Sequence, residues 1–246
     1  MNRRTFTKTI ILGGVATTLP VQLYASTAGI QISNDELLGK GSPSLTSGTG
    51  YKLRPDAAVA FEQLKAAALK DKIQIKVVSS YRDYAHQNRI WERKYNRFRE
   101  SELSPIQAIK KIIEYSTIPG TSRHHWGTDI DLIDGTPKVT GDVLVPSKFH
   151  GTGPFCKFKE WMDAHANSFG FYLVYTDIAD RKGFNYEPWH YSYAPLSIPY
   201  LKSYNGLDIK TILQENKLVG SEHLTSTFID QYITENILDI NPYLLG

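Results

Sequence analysis

The sequence predicts an α+β fold, a small antiparallel sheet flanked by helices and followed by a C-terminal helical extension. Longer stretches in which apolar residues recur at helical spacing are interrupted by short alternating or aromatic-rich stretches that are typical of strands. The two kinds of stretch do not alternate regularly along the 246 residues. This order argues against a doubly wound parallel sheet.

The first half of the folded chain contains three predicted helices and one predicted strand. Pro55 begins the first helix, whose apolar residues keep helical spacing as far as Ala68. Residues 73–77 alternate between isoleucine or valine and polar residues, which is the period of a half-buried strand. Further helices are predicted over 84–99 and 105–115.

The second half begins with a segment broken by a glycine, after which residues 128–133 are predicted to be extended. A helix is expected over 155–168 and ends before Gly170. The remaining predicted elements are two aromatic-rich strands and two short C-terminal helices, over 171–175, 188–193, 209–215 and 228–237.

The N-terminal residues 1–28 are predicted to be an export signal that takes no part in the fold. A charged start is followed by a short apolar stretch and then by small residues. Arg3 and Arg4, followed by Phe6 and Lys8, resemble a twin-arginine signal. Thr7 stands where that pattern usually has leucine, so an ordinary secretory signal is the alternative. The predicted location is the periplasm or cell envelope.

The charge balance argues against a nucleic-acid partner. The full chain has 28 basic and 25 acidic residues, and Arg3, Arg4 and Lys8 are the only charges before residue 29. Without the signal, 25 basic residues face 25 acidic residues, and no basic stripe remains. The single cysteine, Cys156, excludes an intramolecular disulfide and a thiolate-rich metal site, and we expect it to be a buried core thiol.

Two segments carry residues with the chemistry of a metal site. His124 and Asp131 are seven residues apart with Gly127 between them, and His190 lies on a separate predicted strand, three residues after Glu187. Two histidines and a carboxylate can hold Zn²⁺ and leave its fourth position to water, although they also suit other divalent ions. A nearby glutamate that does not bind the ion can accept a proton from that water.

Three motifs resemble those of the VanY-like D-alanyl-D-alanine carboxypeptidases. The stretch Ser-Arg-His-His-Trp-Gly-Thr-Asp-Ile-Asp over 122–131 resembles the family signature Ser-x-His-x-x-Gly-x-Ala-x-Asp. Glu-Pro-Trp-His over 187–190 is similar to the Glu-x-x-His that follows it, and Ser-Tyr-Arg over 80–82 resembles the upstream Ser/Gly-Tyr-Arg motif. The three motifs occur in the family's order across 51–193.

The resemblance implies a fold, a cofactor and a set of roles. The fold would be the small α+β zinc peptidase fold shared with the hedgehog and lysostaphin group. His124, Asp131 and His190 would bind one Zn²⁺, Glu187 would be the catalytic base, and Arg82 would stabilise the developing oxyanion or hold the substrate. The implied activity is the removal of a terminal D-alanine from peptidoglycan stem peptides.

Asp129 departs from the family signature, which usually has alanine two residues before the aspartate ligand. On a strand Asp129 and Asp131 would share a face. Asp129 is therefore interpreted as a partner that orients a ligand histidine, as an extra acid that alters substrate choice, or as a local hydrogen-bond acceptor for the loop backbone.

Four further residues of the motifs are candidate supporting contacts. Tyr81 belongs to the upstream motif, and Ser122 is expected to hydrogen-bond to substrate or to a ligand residue. His125 has two interpretations, a contact with substrate or ligand and simple loop packing. Trp189 is expected to form a core or pocket wall.

The predicted organisation is a linker over 29–50, a zinc peptidase domain over 51–200 and a helical extension over 201–246. A peptidoglycan endopeptidase, L,D or D,D, is an alternative function, because the motif residues are common to both kinds of enzyme. A non-catalytic zinc-containing cell-wall binding module is a further alternative, which Glu187 disfavours. The expected partner is the stem peptide, the expected state is a monomer, and no transmembrane span is expected after signal removal.

Overall fold

The computed structural model describes residues 32–246, so the predicted export signal lies outside the described residues. A four-stranded antiparallel sheet with the order β3-β4-β6-β5 forms the centre of the fold, and a separate hairpin joins β1 and β2. Helices surround this sheet and continue to the C-terminus. The predicted α+β fold with a small antiparallel sheet is confirmed.

Residues 32–246 contain six β-strands and eight α-helices. The strands are β1 (Thr46–Gly48), β2 (Tyr51–Leu53), β3 (Ile75–Ser79), β4 (Asp129–Asp134), β5 (Phe171–Leu173) and β6 (His190–Tyr193). The helices are α1 (Asn34–Leu37), α2 (Pro55–Lys70), α3 (Tyr84–Glu100), α4 (Pro105–Ile112), α5 (Cys156–His165), α6 (Ala194–Tyr204), α7 (Ile209–Glu215) and α8 (Ser226–Tyr232). Within residues 32–246 no helix has both the length and the apolar character needed to cross a membrane.

The long predicted helices are present, whereas α6 is not among the predicted elements. This helix follows β6 directly, and its sequence contains Pro195 and Pro199. Pro195 lies in the first turn, where its missing N–H would have no helical partner. Pro199 lies inside the helix, where the same residue usually predicts an end. Burial of Tyr200 and Leu201 in the core stabilises the helix in spite of it.

Strand β4 is the central element of the sheet, and all six of its residues are buried. Ile130 and Leu132 belong to an apolar core that includes α2 and α5. Asp129 and Asp131 alternate with them and share the opposite face, because side chains alternate across a strand. The strand therefore carries carboxylates into a buried position between layers of the fold.

A second apolar core groups α1, α3 and α4 with the C-terminal helices. Trp126, at the end of a short 3-10 turn (Arg123–Trp126), lies within this core. Its ring centroid is 5.8 Å from that of Tyr204. The signature segment therefore lies where the two cores meet: Trp126 packs in the second core, and Ile130 packs in the first.

Part of the predicted linker over 29–50 packs against the fold. Leu37 and Leu38 are buried in the second core, and the Leu37 carbonyl accepts a hydrogen bond of 3.2 Å from the Trp126 indole. Gly39 has a φ of +73°, and a Cβ there would lie 2.4 Å from His125 Nδ1. Within the predicted linker, Ser33 therefore caps helix α1, and Gly39 lets the backbone pass close to the His125 ring.

The prediction that Cys156 is a buried core thiol is wrong. Cys156 is the first residue of α5 and is only partly buried. Its Sγ lies 3.4 Å from Glu160 Oε1, on the outside of the helix. The apolar face of α5 is formed instead by Phe158 and Met162, so the helical prediction holds while the face is different.

The C-terminal helices hold the loop that precedes the signature segment. Tyr204 donates a hydrogen bond of 2.9 Å to the Gly120 carbonyl. The Tyr232 hydroxyl accepts from the Ile118 N–H at 3.2 Å and lies 2.8 Å from Thr121 Oγ1, which itself donates to the Ile118 carbonyl. Because the Thr121 hydroxyl proton is used there, Tyr232 donates to Thr121, and the three groups form a closed ring of hydrogen bonds.

Replacing Tyr232 by phenylalanine tests this anchor. Tyr232→Phe keeps the buried ring but leaves the buried Ile118 N–H without its partner. We expect the free energy of unfolding, measured by urea denaturation, to fall by about 1–3 kcal/mol. The control is Tyr243→Phe, since Tyr243 is 56% exposed and should lose little. Equal stability of the two variants would contradict the anchoring role.

Candidate metal centre and cleft

The pairing of the central strands brings the predicted residues together. In the register of β4 with β6, Asp131 lies opposite His190 and Asp129 lies opposite Ser192. On its other side Asp131 lies opposite Ser79 of β3. Cross-strand partners have neighbouring Cβ atoms on the same face. A carboxylate and a histidine 59 positions apart in sequence are therefore adjacent in space.

His124 completes a cluster of three possible metal ligands. The 3-10 turn places His124 Nε2 3.5 Å from Asp131 Oδ2, and His190 Nδ1 is 3.8 Å from Asp131 Oδ1. One ligand atom from each of the three buried residues lies within 4.8 Å of the others. Ligands bound at about 2.0–2.2 Å around tetrahedral Zn²⁺ are roughly 3–4 Å apart. The separations therefore suit a single ion after small adjustments.

Buried atoms without hydrogen-bond partners point to the same place. His124 Nδ1 donates to the Ser80 carbonyl at 2.7 Å, which leaves a lone pair on Nε2. His124 Nε2 and Asp131 Oδ1 are both buried and have no hydrogen-bond partner. Burial and the nearby Arg82 guanidinium lower the pKa of His124, so its imidazole is neutral. A neutral nitrogen and a carboxylate oxygen directed at one space fit a divalent cation.

His190 is held between two carboxylates. Its Nε2 is 3.1 Å from Asp129 Oδ1 and its Nδ1 is 3.0 Å from Glu187 Oε2. Burial alone would lower the pKa of His190, but the hydrogen bonds to these carboxylates outweigh it and raise the pKa to about 9. The Asp129 contact fixes one edge of the ring, and Nδ1 on the other edge faces both Glu187 and Asp131.

Glu187 lies beside the cluster without belonging to the three ligand candidates. It is buried, with 6% of its surface exposed, and its N–H donates to the Tyr175 carbonyl at 3.1 Å. Burial raises the pKa of Glu187, against the lowering effect of its hydrogen bond to His190. A carboxylate with a raised pKa close to a metal is suited to accept and return a proton at neutral pH.

Arg82 lines the same cleft, and its backbone is tied to the signature segment. The Arg82 N–H donates to the His124 carbonyl at 3.2 Å. Its side-chain Nε is buried and has no hydrogen-bond partner. Burial lowers the pKa of Arg82, while Asp131 and Glu187 act in the opposite direction. The guanidinium is therefore a positive charge with an unused donor at the edge of the cluster.

His125 has the contacts of a loop-packing residue, one of its two predicted roles. The Gly120 N–H donates to His125 Nε2 at 3.2 Å, so this nitrogen carries the lone pair. Nδ1 therefore carries the proton and donates to the Arg82 carbonyl at 2.6 Å. Burial lowers the pKa of His125 to about 3, which keeps the ring neutral. The ring joins the segment before the signature to the upstream motif.

The remaining candidates divide into residues at the cleft and one residue away from it. Ser122 and Trp189 line the cleft, which has a volume of about 520 Å³. Ser122 Oγ is buried there without a partner, and Trp189 packs on Phe149 with ring centroids 5.7 Å apart. Tyr81 is not among the lining residues. Its N–H donates to the Lys52 carbonyl instead, so its backbone joins its segment to β2.

Asp129 makes the contact expected of a partner that orients a ligand histidine. It is fully buried and accepts hydrogen bonds from side chains rather than from the loop backbone. Burial opposes its ionisation, but Arg123 and His190 outweigh this effect and hold the pKa of Asp129 far below its ordinary value. Its partners Arg123, Thr128 and Ser192 are specified by none of the three motifs.

The cleft also has basic residues that no motif indicated. Lys94 and Arg97 of α3 line it together with Arg82, and Asp142 lies on the loop that follows β4. Burial lowers the pKa of Lys94, although Glu187 acts to raise it. A lysine and an arginine three residues apart on a strongly charged helix give no sequence signal that separates them from an ordinary solvated face.

Two histidines, an aspartate and an additional glutamate in a cleft are the set of groups that zinc hydrolases use. A family model described as VanY: D-alanyl-D-alanine carboxypeptidase matches residues 50–196. The chain belongs to this family, as its three motifs predicted.

Several relatives can be named. The bifunctional D-Ala-D-Ala dipeptidase and D-Ala-D-Ala carboxypeptidase VanXYC of Enterococcus gallinarum is 31% identical over 145 residues, covering 58% of this chain and 68% of that protein. An uncharacterized protein of Haemophilus influenzae is 28% identical over 123 residues, covering 49% and 93%. A D-alanyl-D-alanine carboxypeptidase of Enterococcus faecalis is 27% identical over 158 residues, covering 63% and 53%.

Solved structures show the same fold. The vancomycin resistance D,D-pentapeptidase VanY from a VanB-type resistance cassette, in complex with Zn(II), superposes with a TM-score of 0.51 at 25% identity, covering 70% of this chain and 90% of that one. VanYB in complex with D-alanine-D-alanine superposes with a TM-score of 0.50 at 23% identity, covering 72% and 92%.

Removing one histidine of the cluster tests the metal centre. His190→Ala deletes a ligand candidate from β6, and we expect the purified variant to retain less than about a tenth of the wild-type zinc, measured by atomic emission after dialysis. His223→Ala is the matched control, because His223 lies on the surface and its Nε2 contacts only Glu222. Equal zinc content in both variants would rule out His190 as a ligand.

Proposed function

We propose that the protein is a zinc-dependent D-alanyl-D-alanine carboxypeptidase that removes the terminal D-alanine of peptidoglycan stem peptides. The observation that carries the proposal is the buried group of His124, Asp131 and His190, with Glu187 3.0 Å from His190 at the edge of a cleft. Membership of the VanY family supports the class of reaction.

Zinc is the cofactor that the donor set favours. Imidazole nitrogens and a carboxylate oxygen suit Zn²⁺, and the VanY structure with the same fold is a Zn(II) complex. When bound, a zinc ion supplies Lewis acidity that polarises a carbonyl and acidifies water. His124 Nε2, His190 Nδ1 and an oxygen of Asp131 would hold one ion, and a fourth position would stay open to the cleft.

Glu187 is the group that moves the proton. Its carboxylate accepts a proton from the attacking water and delivers it to the amine that leaves as the peptide bond breaks. The raised pKa of Glu187, caused by burial, lets one group perform both steps near neutral pH. A site built only for structure would need no additional carboxylate, which disfavours the binding-module alternative.

Arg82 and Ser122 are suited to bind the substrate. As water attacks, negative charge develops on the oxygen of the scissile carbonyl, and a buried cation at that point stabilises the transition state. Arg82 has an unpaired Nε, and Ser122 has an unpaired hydroxyl at the cleft. Both groups are available to the substrate without breaking an existing side-chain hydrogen bond.

The charge of the cleft favours a carboxypeptidase over an endopeptidase. Lys94 and Arg97 line the cleft with Arg82, and the free C-terminus of a stem pentapeptide brings a carboxylate that cations recognise. In a carboxypeptidase reaction that carboxylate belongs to the residue that leaves, so it lies beside the bond to be cut. The two activities differ in their products, free D-alanine in one case and separated muropeptides in the other.

Replacing the proposed base tests the reaction. Glu187→Gln preserves the shape of the side chain but removes its basicity, and we expect kcat for D-alanine release from purified pentapeptide muropeptides to fall about 10²–10⁴-fold with zinc content unchanged. Glu222→Gln is the control, since this side chain is 68% exposed. Full activity of Glu187→Gln would contradict the role of Glu187. If the wild-type protein separated cross-linked muropeptides and released no D-alanine, it would be an endopeptidase.

Export to the cell envelope is part of the proposal, because the substrate lies there. Full-length protein, expressed in a bacterium with both export routes, should lose residues 1–28 and be recovered in the periplasmic fraction. Arg3→Lys combined with Arg4→Lys preserves the charge and should block a twin-arginine route only. Unprocessed wild-type protein in the cytoplasm, measured by fractionation and mass spectrometry, would contradict export.

A further inference from the structure

Two residues of the signature segment contact each other inside the protein. Asp129 occupies the position at which the signature usually has alanine, and Arg123 occupies a position at which it specifies no residue. Arg123 Nε donates to Asp129 Oδ1 at 2.9 Å, and both side chains are almost completely buried. A buried charge is costly unless it is paired and hydrogen-bonded. The two residues therefore depend on each other.

The carboxylate of Asp129 has a partner for each oxygen. Oδ1 receives hydrogen bonds from Arg123 at 2.9 Å and from His190 Nε2 at 3.1 Å. Oδ2 receives hydrogen bonds from the hydroxyls of Thr128 at 2.6 Å and Ser192 at 2.8 Å. Four donors around one buried carboxylate hold it in a single orientation.

Arg123 is fixed in the same network. Its Nη2 donates to Ser192 Oγ at 2.8 Å, while that hydroxyl donates to Asp129, so the three side chains close a triangle. The guanidinium also lies over the Trp126 ring, with its carbon 4.8 Å from the centroid. Ser192 reaches this triangle because the strand register places it opposite Asp129.

The network constrains the ring of His190. An ionised carboxylate can only accept hydrogen bonds, so the ring nitrogen that faces Asp129 carries a proton. Nδ1 lies 3.0 Å from Glu187 Oε2 and 3.8 Å from Asp131 Oδ1, and it is the nitrogen that a metal would take when the ring gives up its Nδ1 proton. A carboxylate that holds the remote nitrogen of a ligand histidine fixes both its tautomer and its orientation.

We propose that Asp129, Arg123 and Ser192 form a positioning unit that holds His190 in the orientation and tautomer that bind zinc, and that this unit increases zinc affinity. The proposal rests on the metal centre described under the proposed function and assigns a role to residues outside the three ligands. Asp129 is a positioning residue in this account, since its oxygens are already engaged by four donors.

The test compares zinc affinities measured by competition with a chromophoric chelator. Asp129→Ala should weaken zinc binding about 10–100-fold, the usual effect of losing such a partner. Asp129→Asn keeps an oxygen that can accept from His190 and should recover part of the loss. The control is Asp134→Asn, because Asp134 is on the same strand and accepts from the Thr136 N–H rather than from the cluster.

A double variant separates positioning from folding. Asp129→Ala alone leaves the Arg123 charge buried without its partner and can unfold the protein. Arg123→Met combined with Asp129→Ala removes both charges, and such replacements of buried ion pairs are often neutral for stability. We expect the double variant to have a near wild-type melting temperature in the metal-free state and still to bind zinc about 10–100-fold more weakly.

The outcomes distinguish this inference from the proposed function. If the wild type and the folded double variant bind zinc equally tightly, the positioning role is overturned and the metal centre stands. Failure of the wild type to bind zinc at all overturns both. Weak binding by the double variant, with partial recovery in Asp129→Asn, supports the positioning unit.

Discussion

The register of β4 against β6 is the constraint on which the rest of the site depends. It places Asp131 opposite His190 and Asp129 opposite Ser192, so one pairing sets both the metal cluster and the network behind it. A slip by one residue would move each of these side chains to the opposite face of its strand. The apolar residues of the other face, Ile130 among them, oppose such a slip because it would bring them into the polar cleft.

A second constraint follows from the burial of so many charges. Isolated ions in a protein interior cost several kcal/mol each, and here each acid has a partner of opposite or adaptable charge. Asp129 is paired with Arg123, and Glu187 and Asp131 lie beside His190 and within the field of Arg82. Two buried acceptor atoms without a partner, His124 Nε2 and Asp131 Oδ1, lie where an ion would satisfy them. The distribution of buried charges and unpaired acceptors is therefore what a metal site requires.

The fold class and the ligand candidates are predictable from the sequence. Helices show in the periodicity of nearby residues, and the ligand candidates lie in short motifs, so both depend on local information. The sequence could not predict that Tyr204 and Tyr232 hold the loop before the signature, since those contacts join residues more than 80 positions apart. The role of Arg123 is not predictable from the motifs for a related reason. Its partner Ser192 is brought near by strand pairing, and only the unusual Asp129 in the same segment hinted that a compensating cation was needed.

The most direct measurement is an anomalous difference map at the zinc edge from crystals grown with Zn²⁺. The account predicts one strong peak within about 2.3 Å of His124 Nε2, His190 Nδ1 and an oxygen of Asp131, with Glu187 and Asp129 outside coordination distance. A peak bound through His190 Nε2, direct coordination by Asp129, or no peak in the cleft would contradict it.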